Sequence, residues 1–182
     1  QQILFHDLKT GASRVAINLT DKVLRLDLED IDLYEGRGRG VATIDASGEI
    51  PAHTFNLTLD NVSAGALTRD LWGNDWVDGR TTVTLSVAGR GFTEREVVST
   101  LGGTAELKTN GGSFGGFNFP KMVRGIETGQ FPSMQIQPNE RTSFSEFGAS
   151  YVITNGVAQN SDLRLYTQNV RLTGAGAVNL PQ

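Results

Sequence analysis

"VLRLDLEDIDL", residues Val23 to Leu33, decides how this chain folds. Leu24, Leu26 and Leu28 alternate with Arg25, Asp27 and Glu29, which is the period-two pattern of a strand with one apolar face and one wet face. The parity then slips, because Ile31 and Leu33 alternate with Asp30 and Asp32. A one-residue slip sends every later side chain to the other face unless the backbone absorbs it, so a bulge or bend is predicted near Glu29–Asp30. The same alternation recurs at Phe55/Leu57/Leu59, Val83/Leu85/Val87, Ala105/Leu107, Ala149/Tyr151/Ile153, Leu163/Leu165 and Val170/Leu172. A last strand is expected near Ala177–Leu180. Strands that are half apolar belong to antiparallel sheets with one solvated face, so the fold is expected to be mainly β.

About three short helices are expected to interrupt the strands. Ser63 can cap a helix over Ala64–Leu71, with Leu67 and Leu71 on one side. Thr93-Glu94-Arg95-Glu96 has the form of a capping box, followed by Val97, Val98 and Leu101 and a stop at Gly102-Gly103. Pro120 suits the first turn of a helix through Met122, Val123 and Ile126, ending near Gly129. Such short helices gain their stability by laying an apolar stripe on the sheet or plugging its end. Gln130–Arg141, with Pro132 and Pro138, reads as an irregular excursion.

Composition narrows the function. A formal charge of −4 and a pI near 5.2 give the chain no general attraction to nucleic acid or anionic lipid. There is no cysteine, hence no disulfide framework and no thiolate metal site. No apolar run approaches the roughly 18 residues of a membrane span. The chain opens Gln-Gln rather than with Met and is expected to be an excised or processed segment, one domain over residues 1–182.

Motifs that could carry chemistry all have plainer readings. Gly111-Gly112-Ser113-Phe114-Gly115 has the G-x-S-x-G form, but both histidines, His6 and His53, precede Ser113, and that motif needs a later histidine. Asp27, Glu29, Asp30 and Asp32 lack the glycine and terminal glutamate of a calcium loop and read as a solvated face. Trp72 and Trp76 could serve a glycan-binding surface, but they are expected to pack where a helix meets the next strand. Gly36-Arg37-Gly38-Arg39-Gly40 resembles neither a dinucleotide loop nor a P-loop. It runs straight into Val41-Ala42-Thr43-Ile44 and is expected to form a hairpin turn, with both arginines in water. No catalytic residue, metal or cofactor is expected, and the chain is read as no enzyme.

The C-terminal stretch Thr142–Leu180 carries an ordered set of short signatures. They are Thr142 and Phe144, then Ala149-Ser150-Tyr151, Asn155-Gly156-Val157-Ala158, Asp162-Leu163-Arg164-Leu165 and Gly174-Ala175-Gly176-Ala177-Val178-Asn179-Leu180. Upstream stand Leu57-Thr58-Leu59-Asp60-Asn61-Val62, Gly79–Gly91 and Leu101-Gly102-Gly103-Thr104-Ala105. This series resembles the C-terminal domain of the AsmA family from about Leu24 onward. Gln168-Asn169 and Asn118 depart from the family's usual turn and cap residues.

The resemblance implies a long curved antiparallel sheet forming an open groove. It also implies a periplasmic domain of an inner-membrane-anchored protein in a Gram-negative-type envelope. The expected function is non-enzymatic: an apolar β-groove conducting phospholipid acyl chains between inner and outer membrane in support of outer-membrane biogenesis. The residues expected to line it are Leu24, Leu26, Leu57, Leu59, Val83, Leu85, Leu163 and Leu165. The partners are then acyl chains and not nucleic acid, with membrane contact made by other parts of the parent protein. The second reading is a protein-interaction module whose open sheet edge pairs with outer-membrane protein precursors.

Overall fold

Alternating sequence becomes a single antiparallel meander. In a computed structural model, which describes residues 10–116, 125, 128 and 137–181, nine strands lie in one open sheet in the order of the chain. They are β1 (Thr10–Thr20), β2 (Val23–Leu33), β3 (Gly36–Asp45), β4 (Ala52–Ser63), β5 (Val77–Arg90), β6 (Gly102–Gly116), β7 (Gln137–Thr154), β8 (Val157–Tyr166) and β9 (Arg171–Asn179). Eight inter-strand steps make the sheet about 38 Å wide. Helix α1 (Ala64–Trp72) joins β4 to β5, and α2 (Glu94–Ser99) joins β5 to β6. These are the helices described; the third expected helix, over 120–129, lies outside the described residues except for Gly125 and Thr128.

Three hairpins close on two-residue turns with both φ angles positive: Asp21-Lys22, Tyr34-Glu35 and Asn155-Gly156. Two left-handed residues in a row match the right-handed twist of the flanking strands. The turn after β2 is therefore Tyr34-Glu35, and the whole of Gly36–Gly40 lies inside β3, correcting the expected glycine hairpin. Arg37 and Arg39 are exposed, as expected. The glycines are there for space. A Cβ at Gly40 would lie 2.4 Å from the Asn56 carbonyl oxygen, and one at Gly36 would lie 2.5 Å from that of Asp60.

The predicted slip in β2 is real. The register with β3 shifts between Leu28 and Ile31, so Glu29 and Asp30 together oppose one residue of β3. Similar shifts fall between Leu59 and Val62 in β4, where Asn61 takes φ 53°, and between Asn160 and Leu163 in β8. At Gly111, φ 64°, β6 bulges against β5. Each bulge lets a strand keep its apolar residues on the same side past a change of parity.

Both described helices begin where the sequence places them. The Ser63 hydroxyl accepts from the Ala66 N–H at 3.4 Å, and Gly73 closes α1 in the left-handed conformation. Thr93 and Glu96 form the expected capping box on α2. The end of α2 is corrected: the helix stops at Ser99 with Thr100 as its cap, the Thr100 hydroxyl donates to the Arg90 carbonyl at 2.7 Å, and Gly102-Gly103 open β6. Leu172 and Ala177–Asn179 belong to one strand, β9, rather than two, and Val170 and Leu180 lie just outside its ends. The expected excursion over Gln130–Arg141 ends at Gln137, where β7 starts; 130–136 lie outside the described residues.

Candidate apolar trough

Direct cross-strand partners project to the same face of a sheet, so the register sorts the side chains. One row reads Leu26, Ala42, Phe55, Val87, Gly103, Ile153, Ala158 and Val178 across β2 to β9. The next reads Leu28, Gly40, Leu57, Leu85, Ala105 and Tyr151. A third reads Ile31, Gly38, Leu59, Val83, Leu107 and Ala149. With Leu24 and Ile44 above them, these rows form one apolar face about 20 Å long.

All eight expected lining residues lie on this face. Leu24, Leu26, Leu57, Leu59, Val83 and Leu85 occupy the rows above, while Leu165 pairs with Phe147. Leu163 packs over Gly174 of β9 on the same side as Leu165. Leu59 and Leu165 are buried and the other six half-buried. Sequence reasoning names Leu28, Ile31, Ala105, Leu107 and Tyr151 as apolar strand positions but leaves them out of the eight, and the register brings them onto the same face. It missed β1, which continues the face through Ile17 and Leu19, 69% and 71% exposed.

The opposite face is polar. Arg25 grips Asp27 with two hydrogen bonds of 2.9 and 2.7 Å, Ser86 donates to Asn56 at 2.8 Å, and Arg164 pairs with Glu146 at 2.6 Å. In the β8 bulge, Asp162 accepts from the Ser150 hydroxyl and N–H, and these bonds hold its carboxyl below the usual carboxylate range. Tyr34 sits partly buried against Asp70 at 3.1 Å; burial first, and then this bond, push its phenol up to about 12.

Helix α2 covers one end of the apolar face. Gly89 follows Val87 and Leu85 in alternation, and a Cβ there would strike the Val97 carbonyl at 2.6 Å, so the missing side chain is what lets the helix lie on the strand. Leu101 packs on the cluster of Val87, Ile153 and Ala158. Between helix and sheet lies a cleft of about 530 Å³, lined by Leu28, Ala42, Phe55, Leu57, Leu85, Val87, Val97, Val98 and Leu101, with Phe92 at its side. Phe55 is 37% and Phe92 72% exposed, so apolar surface stays open to water here.

Other sequence motifs fall away from this face or into plain strand. Ser113 lies within β6, and its hydroxyl accepts from Arg141 at 3.0 Å, not at a strand-to-helix elbow. Among the described residues no group of three or more His, Asp or Glu side chains is placed to hold a metal ion. Trp76 is 51% exposed rather than packed at the helix–strand junction; the Trp72 side chain and His6 lie outside what is described. Among the described residues no helix is long and apolar enough to cross a membrane.

No curated protein and no solved structure matches the chain. Comparison with protein families matches residues 6–163 to the AsmA family, a span holding β1 to β7 and most of β8. The chain belongs to the AsmA family.

Proposed function

We propose that this domain is a non-enzymatic segment of an apolar trough that carries phospholipid acyl chains between the inner and outer membranes of a Gram-negative-type envelope. The carrying observation is the continuous apolar face across β2–β8, open beside α2 and backed by a charged, hydrogen-bonded face. A lipid bridge needs this division, because one side must shelter hydrocarbon while the other meets water. The driving force is transfer of methylenes out of water, about 0.8 kcal/mol for each buried CH₂. Hydrocarbon contacts discriminate poorly between similar tails, so the trough accepts many chain types. Family membership supports an envelope role, and we place the domain in the periplasm, with the membrane anchor in another part of the parent protein.

The test is native mass spectrometry of the domain purified without detergent. The reading predicts co-purified phospholipid that disappears in Leu57→Asp/Leu85→Asp while the circular dichroism of the sheet persists. Lipid-free protein that also fails to take up fluorescent phospholipid from vesicles would refute it.

A further inference from the structure

We infer that the end of the sheet beside α2 is a lipid-surface contact, with Phe92 and Ile50 as the two apolar tips that enter a neutral bilayer. Both stand on connections between interior strands, Ile50 between β3 and β4 and Phe92 between β5 and α2, so their exposure owes nothing to an edge strand. Ile50 is 55% and Phe92 72% exposed. The two connections are tied together. Ala52 pairs with Arg90, the Gly91 N–H donates to the Pro51 carbonyl at 3.1 Å, and His53 Nε2 lies 3.0 Å from the Gly91 carbonyl oxygen. Each tip is also held from within: Glu96 accepts from the Phe92 N–H at 2.7 Å, and Asp45 accepts from the Ser47 N–H at 2.9 Å. Scattered apolar residues are ordinary on a surface, but a pair fixed on linked loops beside an apolar cleft marks a contact site.

Area and charge select a bilayer as what covers them. Phe92 and Ile50 together offer on the order of 200–300 Å² of apolar surface, against about 800 Å² that each partner gives to a stable protein interface. Glu49, Arg90, Glu94 and Arg95 flank them in sequence, whereas the core of a protein interface is depleted of charge. A bilayer needs no matched shape: loop-tip side chains reach its hydrocarbon while neighbouring charges stay among the headgroups. Residues 45–51 and 90–96 carry Asp45, Glu49, Glu94 and Glu96 against Arg90 and Arg95, an acidic balance that disfavours anionic lipid, so the surface is zwitterionic. The two side chains hold fewer carbons than one myristoyl chain, which alone binds membranes marginally, so the contact is weak and reversible. Phe92 also lines the cleft under α2, and docking here sets that cleft against the bilayer. The inference goes beyond the trough reading and does not require it, since the loops can dock whether or not hydrocarbon enters the sheet.

The chain has no cysteine, so a single fluorophore can be placed at will. A nitrobenzoxadiazole label on Phe92→Cys or Ile50→Cys should brighten and shift to the blue when phosphatidylcholine vesicles are added. The same label on Glu35→Cys, in the turn at the other end of β3 and about 33 Å away along the strand, should not respond. In vesicle flotation, Phe92→Ser/Ile50→Ser should lose at least about tenfold in partitioning with its circular dichroism unchanged, because burial of each side chain is worth roughly ten- to a hundredfold. Trp76→Ser, which removes an exposed apolar residue at the opposite end of β5, should partition like wild type. Anionic lipid should not strengthen the binding. Wild type that does not float, a Glu35→Cys label that responds equally, or partitioning that the double variant retains would overturn the proposal and leave the pair to a protein partner. Docking by protein that carries no phospholipid would count against the trough alone, and lipid-loaded protein that does not dock would count against this contact alone.

Discussion

The glycines of Gly36-Arg37-Gly38-Arg39-Gly40 hold β3 against β4, and a substitution series measures this. None of the three adopts a left-handed backbone, so alanine suits each conformation and, by stiffening the unfolded chain, would stabilise by about 0.4–1 kcal/mol. Crowding opposes that gain. At Gly40 the new carbon would meet two backbone atoms of β4, Asn56 O at 2.4 Å and Leu57 Cα at 3.2 Å. At Gly36 it would meet the Asp60 and Asn61 carbonyl oxygens at 2.5 and 2.6 Å. Paired backbone cannot step aside, so Gly36→Ala and Gly40→Ala should each cost a net of about 1–3 kcal/mol, the overpacking range. At Gly38 the nearest atoms are the Leu33 and Leu59 methyls at 2.8 and 3.2 Å, which can rotate, and the net cost should stay below about 1 kcal/mol. Arg37→Ser/Arg39→Ser, on the exposed face, should change stability by no more than about 0.5 kcal/mol per site. Urea unfolding reads the series as midpoint shifts at constant slope. A neutral Gly40→Ala, or collapse of the arginine double variant, would refute this reasoning.

Val62→Ala, at a fully buried side chain, should cost about 2 kcal/mol by urea unfolding, whereas Ile17→Ala, 69% exposed, should cost under about 0.5 kcal/mol. Thr93→Ala removes one half of the capping box and should cost about 1 kcal/mol, with faster hydrogen exchange in α2. Asp45, Asp75 and Asp162 are all depressed by hydrogen bonds, from Ser47, Arg69 and Ser150 respectively. Their stabilisation is present above the unfolded carboxylate range and is lost as pH falls through the lower folded values. Stability should therefore drop below about pH 4, and Asp162→Asn should make that acid limb shallower.

Much of the sheet is legible because alternation reports a half-wet strand directly. The parity slip at Glu29–Asp30 even locates a bulge, since a strand cannot turn over its apolar side without one. The capping signals of α1 and α2 are local hydrogen bonds and are equally visible. The turn at Tyr34-Glu35 is not, because its residues seldom adopt left-handed backbone, while the glycines beside it suggest a turn they do not make. Their role is close approach to β4, which depends on the neighbouring strand. The trough is only half legible for the same reason: periodicity names the apolar side of each strand, but register decides that those sides line up. Gly89, vacant beneath α2, looks like any other glycine until the helix is placed on it.

The central claim is that hydrocarbon lies on the Leu57/Leu85 face and not on the face of Thr58 and Ser86. The most direct measurement places a photo-crosslinking amino acid at each of these four positions and irradiates the protein in cells labelled for phospholipid. The account predicts lipid adducts at Leu57 and Leu85 and none at Thr58 or Ser86. Adducts at all four positions alike, or at none, would contradict it.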